Sequence, residues 1–163
     1  MEKSLKIDEN KAYDLYPTAS PEFKQVLEDT FGVEFFNRKI TDRVKTYEDA
    51  CAILGLDPHA SMPDTSECPK EDRRAYLAFH KLVVITRALN EGWRPDWSNL
   101  NQPKWFNWWY TNGNAGLAFA GSYSAPSATN ARIGSRLCFK SEALADYAAE
   151  TFKELYDEYL MFK

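Results

Sequence analysis

Two histidines, three cysteines and a scatter of carboxylates are the groups in this sequence able to act as nucleophile, base or metal ligand. His80 lies in the apolar run 76–85, where a satisfied core or boundary histidine is the ordinary reading, and His59 lies among prolines in a solvated loop. Cys51, His59, Cys68 and His80 make four donors on paper. Their spacings lack the Cys-x-x-Cys or His-x-x-x-His elements that set two ligands on one turn, so no zinc site is expected. Cys138 precedes Phe139 in an expected strand and reads as a small buried hydrophobe, not a reactive thiol. No Gly-rich phosphate loop, Gly-x-Ser-x-Gly elbow or His-Glu-x-x-His helix occurs. The acid pairs Glu28-Asp29, Glu48-Asp49 and Glu71-Asp72 fall near helix ends or on polar faces as solvated charge. The inventory therefore supplies no catalytic set, no metal site and no cofactor motif. An enzyme here would need a dispersed site, and the arrangement on offer is Asp96 as base with Arg94 or Arg136 as electrostatic partner.

The densest chemistry is aromatic. All five tryptophans, Trp93, Trp97, Trp105, Trp108 and Trp109, lie within 93–109. In a strand over 104–110, alternation sends Trp105 and Trp109 to one face and Phe106, Trp108 and Tyr110 to the other. Both faces are aromatic, so either both are covered or one is left open for a partner. The same stretch is locally basic: over 92–140, Arg94, Lys104, Arg132, Arg136 and Lys140 stand against Asp96 alone, within a chain of net charge −4. Single-stranded nucleic acid would stack bases on the rings and place phosphates on the basic side chains. A sugar or protein partner would pack on the same rings, with Asp96, Asn99, Asn101 and Gln102 as polar contacts. Rings that are simply core need no partner at all. The candidate binding set is Trp93, Arg94, Asp96, Trp97, Lys104, Trp105, Trp109 and Arg136. Tyr147, Phe152, Tyr156 and Tyr159 on an acidic terminal helix offer a further oligomer surface.

Helix signals place these residues. Ser20-Pro21-Glu22 is an N-cap, a first-turn proline and a first-turn acid, with Gly32 as the stop; the helix between them buries Phe23, Val26, Leu27 and Phe31. A shorter helix precedes it over 9–15. Thr46 caps a helix that ends at Gly55, and 56–68 is a loop rich in Pro, Asp and Ser. A central buried helix runs from Pro69 to a stop at Gly92. Strands follow over 104–110 and 116–123, turning at Asn112-Gly113, then a third over 135–140. Ser141 caps one long terminal helix. The reading is a single α+β domain over 1–163: an N-terminal helical part (1–38), central helices (39–92), an aromatic sheet of about three antiparallel strands (93–140) and the terminal helix (141–163).

Three blocks carry a resemblance: Lys39-Ile40-Thr41-Asp42-Arg43-Val44-Lys45-Thr46-Tyr47-Glu48-Asp49-Ala50-Cys51, then Ala88-Leu89-Asn90-Glu91-Gly92-Trp93-Arg94-Pro95-Asp96-Trp97, then Gly134-Ser135-Arg136-Leu137-Cys138-Phe139-Lys140-Ser141. Together they resemble a family of uncharacterised proteins encoded by phages and prophages of anaerobic gut bacteria, over roughly residues 39–163. The resemblance implies a phage-related protein made in the bacterial cytoplasm and carries over no activity, cofactor or site residue. Composition by itself points to a globular cytoplasmic chain: 44% hydrophobic and 27% charged residues are globular usage, three scattered cysteines suit a reducing compartment, and no apolar run suggests a membrane segment. The expected partners are another protein or a second copy of the chain, with single-stranded nucleic acid as the alternative.

Overall fold

Side-chain caps open four of the described helices. The computed structural model describes residues 7–111, 113, 116–125 and 135–161, which fall into two units divided after Arg43. In the first unit, the Asp8 carboxylate accepts from the Lys11 N–H (2.8 Å) and opens α1, Glu9–Leu15. A 3-10 turn, Tyr16–Thr18, leads to α2, Pro21–Phe31, where the Ser20 hydroxyl accepts from the Phe23 N–H. Gly32 (φ +83°) ends α2 in a conformation a side chain would oppose. Two short helices not expected from the sequence follow, α3 (Val33–Phe36) and α4 (Ile40–Arg43).

The core of this unit is Ala12, Leu27, Phe35 and Phe36, with Phe23 and Phe31 packed against it. Val26, expected in the buried stripe, is 55% exposed. The stripe that packs is Phe23, Leu27 and Phe31, spaced by four, and Val26 lies one step round the helix from it. Tyr16 stacks on Phe36 with ring centres 4.0 Å apart, and its hydroxyl donates to the Glu28 carboxylate.

The second unit opens with a reciprocal cap. The Thr46 hydroxyl accepts from the Asp49 N–H (3.1 Å) while the Asp49 carboxylate accepts from the Thr46 N–H (2.9 Å), starting α5, Tyr47–Ile53. The central helix α6 is Arg73–Leu89; it begins four residues after Pro69 because 69–72 form a separate turn, closed by Asp72 N–H to Pro69 C=O. Ala78, Leu82, Ile85 and Leu89 are its fully buried face, packed against α5 and α8.

Strands β1 (Trp105–Thr111) and β2 (Leu117–Ser124) form one antiparallel pair, with a bulge where Trp108 opposes Gly121 and Trp109 opposes Phe119. Gly121 takes φ +116° there. The expected third strand is a correction. Ser135–Leu137 is a 3-10 turn, and only Phe139 pairs with β1, exchanging both backbone hydrogen bonds with Trp105 (3.0 and 2.9 Å). The buried Asn90 amide takes the other side: it donates to Cys138 C=O (2.9 Å) and accepts from Lys140 N–H (3.0 Å), doing a neighbouring strand's work with one side chain. The terminal helix is two pieces, α7 (Glu142–Thr151) and α8 (Lys153–Leu160), separated at Phe152. The architecture is α+β: the first unit is helical, and in the second α7 packs on a two-stranded antiparallel ribbon. No helix among the described residues is long and apolar enough to cross a membrane. The turn residue Asn112, Arg132 and most of the segment joining β2 to the 3-10 turn lie outside the described residues.

Candidate functional site

The ribbon has an inner and an outer side, and the register assigns them. Asn107, 2% exposed, is the polar centre of the inner side. Its amide donates to Ala145 C=O of α7 (2.6 Å) and accepts from the Tyr156 hydroxyl of α8 (2.7 Å), while Ser122 opposite it donates to Asp146 (2.7 Å). Burial pushes the Tyr156 phenol far above its ordinary range, so it stays a donor. Trp109 shares that side and packs on Tyr156 at 4.9 Å and Phe119 at 5.3 Å; its indole N–H is buried without a partner among the described residues. Trp105, half-buried, is on the same side by alternation. These two belong to the helix-covered face.

The outer side carries Phe106, Trp108 and Tyr110 on β1 and Tyr123 on β2. Phe106 is buried, Trp108 is half-buried with its ring edge-on to Tyr123 at 5.8 Å, and Tyr110 and Tyr123 are 61% and 57% exposed. Of these rings, Tyr110 and Tyr123 are the two open to solvent.

One end of that side is bordered by the loop that follows α6. Lys104, just before β1, falls on the outer side by alternation, yet it is fully buried. Its ammonium donates to the carbonyls of Asn99 (3.2 Å) and Gln102 (3.1 Å) and lies 5.2 Å from the centre of the Trp97 ring. The loop is thus tied around an internal cation. Asp96 braces it from the front, accepting from the Ser98 N–H (2.9 Å) and hydroxyl (2.6 Å); these bonds hold its carboxyl below the usual range. The Asn99 and Gln102 side chains accept from the Asn101 and Asp96 N–H groups. Among its exposed residues, which include the polar Asp96, Ser98, Asn99 and Asn101, the loop presents two large apolar side chains: Trp97 is 38% exposed and Leu100 62%.

The expected binding set therefore divides. Trp97 and Lys104 meet in one loop with Asp96, whereas Trp105 and Trp109 face the helices. Trp93 is half-buried after α6 and Arg94 is exposed. Arg136 lies beside His80 in a hollow on α6, while the bonds of Asp96 are to Ser98 and the backbone of its own loop. Trp108, Tyr110, Tyr123 and Leu100 are ring-face residues outside the expected set. Part of the local positive charge is already engaged: Lys104 is buried, and Lys140 pairs with Glu91 at 2.6 Å at the surface, while Arg94 and Arg136 are exposed. Among the described residues no three His, Cys, Asp or Glu side chains gather to hold a metal.

No family model, curated protein or solved structure matches the chain.

Proposed function

We propose that this protein is a non-catalytic assembly module that pairs with a second copy of itself through the outer ring face of the β1–β2 ribbon. The observation that carries the reading is the pair of exposed rings Tyr110 and Tyr123 beside the half-buried Trp108, together with the exposed Trp97 and Leu100 of the loop before β1. Tyr and Trp are the side chains favoured at the centre of protein interfaces, where their rings bury area at low entropic cost and their polar tips reach the rim. A two-fold pairing of one such face with itself needs no charge complementarity. Single-stranded nucleic acid fits less well, because Lys104 gives its charge to the loop's own carbonyls instead of to phosphates. The resemblance to phage and prophage proteins enters as the setting: a phage-encoded protein assembling inside its bacterial host.

At 38–62% exposure, Trp97, Leu100, Tyr110 and Tyr123 offer roughly 400 Å² per copy, taking ~200 Å² for each large side chain. That falls near half of the roughly 800 Å² per partner of a standard stable interface, so the pair belongs to the weak, concentration-dependent class. Sedimentation equilibrium at high micromolar protein is expected to show a monomer–dimer balance that Tyr110→Arg with Tyr123→Arg shifts to monomer. The variant's circular dichroism should be unchanged, since both side chains are exposed. A dimer that survives both substitutions contradicts the proposal.

A further inference from the structure

A hollow of about 390 Å³ opens on the solvent side of α6. Tyr76, Phe79 and Val83 recur at helical spacing and form its apolar floor; Pro63 and Cys68 stand opposite, and Arg136 comes from the 3-10 turn. The facing wall is held by hydrogen bonds within it and by Arg73, the first residue of α6, which ties it to the start of the helix. The Asp64 carboxylate accepts from the Ser66 N–H (2.8 Å), the Arg73 guanidinium donates to Cys68 C=O (3.0 Å) and to Ser66 C=O, and the Tyr47 hydroxyl bonds Ser61 Oγ (2.7 Å). A wall fixed in this way leaves the space open before any ligand arrives.

The charges around it are asymmetric. His80 lies in the lining with its Nε2 shut off from water and without a partner among the described residues. Burial, together with nearby Arg87, lowers its pKa, so at neutral pH the ring is an uncharged part of the wall. The one acid in the lining, Asp64, is already engaged by Ser66, with Arg73 close by. Arg136 is exposed and supplies positive charge beside an apolar floor. Apolar walls with one planar, bidentate cation and a volume within about 300–1,000 Å³ are what a small amphiphilic anion requires.

We propose that this hollow binds a small aromatic carboxylate, its rings lying among Tyr76, Phe79 and Val83 and its carboxylate pairing with Arg136. The site is separate from the ring face, and neither proposal depends on the other. Cys68 gives a local reporter, because it is partly exposed in the lining while Cys51 and Cys138 are buried. The test measures alkylation of Cys68 by neutral iodoacetamide in the full chain, mapped by mass spectrometry, with 2-naphthoate or its uncharged counterpart 2-naphthalenemethanol added. The Phe79 and Val83 amide resonances are followed in parallel, so the outcome does not hang on thiol reactivity. Naphthoate should protect Cys68 and shift those resonances at about tenfold lower concentration than the alcohol. Arg136→Gln should reduce naphthoate to the level of the alcohol. Absence of protection and shifts with both compounds, equal effects of both, or a preference for naphthoate that survives Arg136→Gln would each overturn the proposal.

Discussion

Replacing Tyr156 with Phe removes one oxygen from the centre of the second unit and leaves the ring in place. The Tyr156 hydroxyl is the hydrogen-bond donor to Asn107 Oδ1 (2.7 Å), and Asn107 is itself 2% exposed, so water cannot take over as donor without opening the ribbon from α7 and α8. A buried acceptor left without a donor costs about 1–3 kcal/mol. Asn107→Ala should cost more, about 2–5 kcal/mol, because it strands the Tyr156 hydroxyl, removes the second donor to the Ala145 carbonyl and leaves a small cavity. The two losses share one hydrogen bond, so the double variant should lose less than their sum by about 1 kcal/mol or more. Urea unfolding followed by tryptophan emission is the suitable assay, since all five tryptophans lie within 93–109 and report the second unit alone. A Tyr156→Phe variant within about 0.5 kcal/mol of the parent, or strict additivity in the double variant, would refute the network as a source of stability.

Four further outcomes are expected. Thr46→Ala breaks the reciprocal cap of α5 and should cost about 1 kcal/mol in urea unfolding. Lys104→Met keeps the length of the side chain but leaves the Asn99 and Gln102 carbonyls without their internal donor; a loss of about 1–3 kcal/mol, with faster amide exchange over 97–103, is expected. A disulfide-exchange titration of the native protein should count one thiol quickly, Cys68, and three only in denaturant, because burial hides Cys51 and holds Cys138 at a pKa of about 11. His80 binds its proton less readily folded than unfolded, so the unfolded chain takes up more protons as pH falls through the ordinary value of 6.5, and stability should decline below it. His80→Gln should flatten that slope in urea midpoints measured across this range.

Local signals were legible where one residue's chemistry decides the outcome. Asp8, Ser20, Thr46 and Ser141 each accept a backbone N–H at a helix start, and the first three helices expected before residue 55 begin where such caps place them. The β1–β2 hairpin was legible for the same reason, through alternation over the aromatic run. The strand expected over 135–140 was not, because its pairing is decided at long range: a side chain some fifty residues away, Asn90, satisfies the backbone that a further strand would have used.

The ring face was half legible. Alternation separated Trp105 and Trp109 from Trp108 and Tyr110, but nothing in that alternation says which side the helices cover. The deciding residue is Asn107, whose amide bonds to α7 and α8 bring the odd-numbered positions of β1 inward. The basic character of 92–140 misleads for a physical reason as well. Charge counted along the chain takes no account of burial, and Lys104 turns inward to hold a loop.

The central claim concerns self-association through the outer ring face, and light scattering of the unmodified protein across a dilution series tests it most directly. The expected result is a weight-average mass rising with concentration from 18.8 kDa toward twice that value. A mass that stays at 18.8 kDa up to the highest concentration reached would contradict it.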